Sequence, residues 1–165
     1  MQVRKAILVA ALLGFGFTSA ALAKNFAFPE KNPSGTVSIP DSWTTEEIEY
    51  GYSAKSPNDD VFFSVEFAGG SRVDKMLDNN TAWMKENEIK PKGKPVEKEI
   101  DINGISAKLL HFDATDENGD TSVDFVFISG GEGRLIMLTL WGSEDELKAN
   151  QADLDAIKKS IKAIN

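Results

Sequence analysis

The chain has 165 residues, with 18 basic against 26 acidic side chains, 41% hydrophobic residues, one histidine and no cysteine. That balance excludes a disulfide framework and a His-rich or Cys-rich zinc site. The apolar content is too high for a disordered chain, and the acidity disfavours nucleic acid or an anionic membrane surface as partner.

Arg4 and Lys5 precede an apolar run from Ala6 to about Phe17, and small residues follow to Ala21-Leu22-Ala23. This is the pattern of a cleavable secretory signal, cut after Ala23. The run is about a dozen residues, short of the roughly 20 a spanning helix needs, which argues against an uncleaved anchor. With no cysteine at the cut, lipid attachment there is excluded. The expected product is a soluble, periplasmic or secreted bacterial protein of 142 residues, Lys24 to Asn165, with no stable membrane insertion. Without Arg4 and Lys5 it carries 16 basic and 26 acidic residues, a net charge of −10. Its length suits a single domain with a real core.

Lys24 to Ser34 reads as an irregular lead-in anchored by Phe26 and Phe28. Thr36 to Ile39 is a short strand closed by Pro40-Asp41-Ser42. Glu46 to Ala54 alternates Ile48, Tyr50 and Tyr52 with polar residues and predicts one half-buried strand. After the turn at Ser56-Pro57-Asn58-Asp59, Val61 to Ala68 predicts a strand whose Phe63, Val65 and Phe67 face the core, opposite Phe62, Ser64 and Glu66. Ser71 and Asp74 suggest a capping box. Val73, Met76, Leu77, Asn80, Trp83 and Met84 then recur at helical spacing, predicting a helix from about Arg72 to Asn87.

Lys90 to Pro95 is a loop, and Val96 to Ile102 alternates as a strand. Asn103-Gly104 is a strong hairpin signal, because both turn positions favour positive φ. Ile105 to Phe112 returns, Asp113 to Asp120 is an acidic turn, and Thr121 to Ser129 is a further strand. Arg134 to Trp141 is apolar enough for a central strand. Ser143 with Glu146 is a full capping box, and Leu147, Leu154, Ile157, Ile161 and Ile164 mark one face of a long final helix. The order βββ-α-ββββ-α predicts an α+β domain: an antiparallel sheet of about six or seven strands with two main amphipathic helices.

Ile39-Pro40-Asp41-Ser42-Trp43, the hairpin Asn103-Gly104-Ile105-Ser106-Ala107 and the closing Ser160-Ile161 together resemble landmarks of the Mog1/PsbP-like superfamily. Ser42 stands where relatives carry glycine. The resemblance spans nearly all of residues 24–165. It implies a binding module rather than a particular chemistry, since members of that superfamily mostly bind other proteins.

Catalytic signatures are sparse. His111 is the only histidine and lies within a predicted strand, and no Gly-x-Ser-x-Gly elbow accompanies it. Gly69-Gly70-Ser71 lacks the lysine of a phosphate-binding loop and reads as a strand-to-helix turn. Asp113, Asp116, Glu117, Asp120 and Asp124 place five carboxylates within twelve residues, a candidate site for Ca²⁺ or another hard cation. Their spacing fails the EF-hand pattern, and a solvated hairpin tip is the simpler interpretation. Trp43 and Trp141, at the first corner and the last strand end, are candidates for a ligand or partner surface, with corner packing as the alternative. The sequence therefore favours a non-enzymatic, exported interaction module of the cell envelope, with an envelope protein as partner. A periplasmic protein binding a small ligand or divalent metal is the alternative.

Overall fold

The computed structural model describes residues 22–131 and 133–163. The proposed export segment up to residue 21, and Ile164, lie outside them. The elements are β1 (Ala23–Phe28), β2 (Gly35–Pro40), β3 (Thr44–Ile48), β4 (Gly51–Lys55), β5 (Phe62–Gly69), α1 (Arg72–Glu86), β6 (Lys90–Pro91), β7 (Val96–Ile102), β8 (Ile105–Asp116), β9 (Gly119–Ser129), β10 (Arg134–Gly142), α2 (Glu144–Ala149), α3 (Gln151–Ser160) and β11 (Lys162–Ala163). This is an α+β architecture whose strand pairs are all antiparallel. A main sheet of eight strands runs β3-β4-β5-β10-β9-β8-β6, with β7 also on β8, and a separate three-stranded sheet is ordered β1-β2-β11.

β5 and β10 occupy the middle of the main sheet, and both of their faces are largely covered. One face meets α2, α3 and the small sheet, in a core that includes Phe28, Val37, Ile39, Phe63, Val65, Leu138 and Ile157. The other face meets α1, in a core built on Met76, Ala68, Val123, Phe125 and Met137. The edges are charged: Glu46 and Glu47 on β3, and Glu97, Lys98, Glu99 and Asp101 on β7, which discourages edge-to-edge pairing.

Several elements differ from the sequence expectation for identifiable reasons. The lead-in is strand β1, because Lys24 to Phe28 finds partners in Ile39 to Gly35. The single strand expected over Glu46 to Ala54 is two, folded at Glu49-Tyr50. Gly51 explains the tight return: a Cβ there would lie 2.1 Å from the Val65 carbonyl oxygen. Ser71 makes no side-chain cap bond to α1, whereas Ser143 and Glu146 form the expected reciprocal capping box. The final helix divides at Asn150, whose backbone N–H and side-chain amide both donate to the Glu146 carbonyl, closing α2 before α3 starts. The acidic turn is shorter than expected. β8 runs on to Asp116 and β9 starts at Gly119, with φ +122°.

The Asn103-Gly104 hairpin forms as its chemistry dictates, with φ +56° and +84°. Its asparagine also does something local sequence does not announce. The Asn103 side-chain amide donates to the carbonyls of Lys158 (2.7 Å) and Ile161 (3.0 Å), closing the C-terminal end of α3.

Candidate functional site: a groove between α1 and the β3–β5 edge

α1 lies across the β5–β10 face but leaves a groove along the β3–β4 side. The groove has a volume of about 320 Å³. Its apolar wall is aromatic. The Trp83 ring stacks on Phe62 (centroids 4.6 Å apart, planes 28° apart) and meets Trp141 edge-on at 5.6 Å. Phe62 and Trp141 are cross-strand partners on β5 and β10, so the sheet register fixes both beneath the helix. All three rings are only partly buried. Trp141 is steadied by its indole N–H, which donates to Asp116 at 3.2 Å.

The polar wall is a network around Glu66, which is 4% exposed. The Asn80 amide donates to Glu66 Oε1 at 2.9 Å and the Ser64 hydroxyl reaches the same oxygen at 3.4 Å. Thr139 in turn donates to the Asn80 side-chain oxygen Oδ1 at 3.4 Å. Among the described residues, no Lys, Arg or His nitrogen lies within 4.0 Å of this carboxylate. Burial pushes the Glu66 carboxyl above its usual range, and the bonds from Asn80 and Ser64 offset only part of that.

The β3–β4 corner closes the groove's far side and is clasped to α1. Glu49 accepts from Lys75 Nζ at 2.6 Å and from Asn79 at 3.0 Å, and the Arg72 guanidinium sits 4.9 Å above the Tyr50 ring. The Lys75 bond, followed by that of Asn79, holds the Glu49 carboxyl below its usual range. A half-exposed aromatic wall beside a buried, charge-unpaired carboxylate is chemistry suited to recognition.

The residues predicted from sequence are distributed differently. Trp141 is in this groove. Trp43 is not on a surface at all: it is 1% exposed in the opposite core, and its indole donates to Asp153 on α3 at 2.9 Å. That corrects its assignment as a ligand or partner surface; the corner at residues 39–43 is a packing device.

The five carboxylates are also dispersed, which corrects the proposed cation site. Strand alternation sends Asp116 towards Trp141 on the α1 face, whereas Asp113 and Asp124 flank His111 on the other face. Asp120 pairs with Lys92 at 2.7 Å, and Glu117 lies in the turn. Among the described residues, no three His, Asp or Glu side chains converge as metal ligands would. The donor set therefore does not fit Ca²⁺, which asks for six to eight oxygens around one point.

His111 is held from both sides, with Nδ1 at 2.6 Å from Asp124 and Nε2 at 3.4 Å from Asp113. The nearby Ser122 hydroxyl donates to the Gly142 carbonyl. Among the described residues neither ring nitrogen bonds a hydroxyl group, so this is not the geometry of a catalytic triad.

Sequence reasoning missed Glu66, Asn80 and the pairing of Trp83 with Phe62. One signal was present: Asn80 sits within the apolar helical stripe, where a polar residue requires a buried partner. Glu66 carries no comparable mark, since alternation alone placed it on a solvent face.

Sheet and helix placement together define an α+β scaffold with helices on both faces of an antiparallel sheet. It has the Mog1/PsbP-like fold. The chain superposes on the cyanobacterial PsbP (CyanoP) of Synechocystis sp. PCC 6803 with a TM-score of 0.57 at 12% identity, covering 93% of this chain and 99% of that one. A Bacteroides thetaiotaomicron protein gives 0.56 at 11% identity, over 86% of this chain and 48% of the other. LpqN, involved in cell envelope biogenesis of Mycobacterium tuberculosis, gives 0.52 at 15% identity, over 87% and 92%. At such identities the likeness concerns the fold alone. No protein-family model and no curated protein sequence matches the chain. Among the described residues no helix is long and apolar enough to cross a membrane.

Proposed function

We propose that this protein is a non-enzymatic interaction module of the bacterial cell envelope, exported by its N-terminal signal, and that the α1 groove is its binding face. The observation that carries this is the aromatic trio Phe62, Trp83 and Trp141, left partly exposed in the groove that buried Glu66 also lines. Aromatic rings and a desolvated polar anchor are what concentrate binding energy at protein interfaces. The N-terminal signal pattern supports an extracytoplasmic setting, and the fold shared with PsbP and with LpqN, which is involved in cell envelope biogenesis, is consistent with it.

Site-specific photo-crosslinking in cells that naturally make the protein tests the proposal. A photoreactive residue in place of Lys55, at the groove, should yield one discrete protein adduct, while the same residue in place of Lys98, on β7, should not. No adduct at Lys55, or identical adducts at both positions, would overturn it.

A second reading, capture of a small apolar ligand, is favoured by one feature. Between the main sheet and α2–α3 lies a cavity of about 400 Å³ lined by side chains such as Ile100, Leu109, Leu140, Leu147 and Leu154. A ligand seated there must raise the melting temperature, so a thermal-shift screen of apolar metabolites distinguishes the two.

A further inference from the structure

We infer that the α1 groove receives an arginine side chain of the partner protein, with Glu66 as counter-ion to its guanidinium. This rests on the groove being the protein-binding face.

The charge pattern is the first reason. The groove's charged lining is Glu46, Glu49, Lys55 and Glu66, and Glu49 is already engaged by Lys75. Lys55 pairs in register with Phe62, four residues along β5 from Glu66, about 13 Å at strand rise. Lys55 is therefore too far away to neutralise Glu66. A buried carboxylate without a cation is costly, and an incoming cation relieves that cost.

Shape and chemistry favour guanidinium over other cations. It is planar, weakly hydrated and carries its donors in a rigid fork that matches a carboxylate, so it loses less than an ammonium on leaving water. Both donors to Glu66, Asn80 and Ser64, are seen on Oε1, which leaves Oε2 for the guest. Cation binding favours the ionised carboxylate, reversing the upward push that burial imposes.

The test is NMR of the uniformly ¹⁵N-labelled protein, following the three tryptophan indole N–H signals. The probes are acetylated, amidated Gly-Arg-Gly and its neutral isostere Gly-citrulline-Gly. The arginine peptide should shift Trp83, one turn along α1 from Asn80 in the same groove, and leave buried Trp43 unmoved, with the citrulline peptide about tenfold weaker. Glu66→Gln should abolish that preference. Glu66→Met serves the same purpose if the first variant loses its dispersed spectrum, since an apolar residue of similar volume is tolerated where a charge is buried.

Equal shifts from both peptides, or a preference that survives loss of the carboxylate, would overturn the inference. So would free guanidinium ion acting as strongly as the peptide, which would make the groove a small-cation site. A Lys55 crosslink without arginine preference would sink this inference while sparing the binding face. Absence of the crosslink would sink the binding face itself.

Discussion

A carboxylate taken out of water without a cation must be held by hydrogen bonds or give up its charge. Glu66 is held by Asn80 and Ser64, at a cost in stability that depends on pH. Its carboxyl takes up a proton more readily in the folded chain than in the unfolded one. The contribution is thus favourable at pH below the unfolded carboxyl range and is lost as pH climbs through the raised folded value. Glu66→Gln keeps an acceptor for Asn80 and removes the ionisation. It should stabilise the protein by about 1–3 kcal/mol at pH 7, with the gain shrinking to nothing near about pH 4. Urea denaturation at the two pH values checks this; a variant equally destabilised at both would mean that the carboxylate is a net stabiliser.

The elements owe their positions to contacts of both short and long range. The Asn103-Gly104 turn is set by two adjacent residues, yet the Asn103 side chain reaches 55 and 58 residues along the chain to the end of α3. Asn103→Gly preserves the positive φ and removes those bonds, so it should cost about 1 kcal/mol. Asn103→Ala adds a strained backbone and should cost about 1 kcal/mol more. Denaturant midpoints for the pair separate capping from turn geometry. The remaining elements follow the same division. α1, β7 and β10 were readable because periodicity and turn residues act over a few neighbours. β1 was not, because its strand character comes from β2, nor was the Asn150 break, because a single asparagine can cap a helix or ride within one. The hairpin at Glu49-Tyr50 was hidden in an unbroken alternation, where Gly51 looked like an ordinary outward position.

At the scale of the whole molecule, the described residues form two sheets and three helices that enclose two cores on opposite faces of one sheet. The expected export cut removes Ala23 from β1 and leaves Lys24 to Phe28 with their partners Ile39 to Gly35. Mass spectrometry of protein secreted by its natural host should therefore give a 142-residue chain starting at Lys24. A start at Met1 would overturn the assignment of the signal. The sequence by itself determined the α+β class, the main helices and strands and the resemblance in fold, because these rest on patterns within a few residues of each other. It also singled out Trp141. Only the tertiary structure decided that Trp43 is core, that strand alternation scatters the five carboxylates, and that α1 roofs the face bearing Glu66. Burial of a second sheet face depends on where a helix docks, and no local pattern in β5 carries that information.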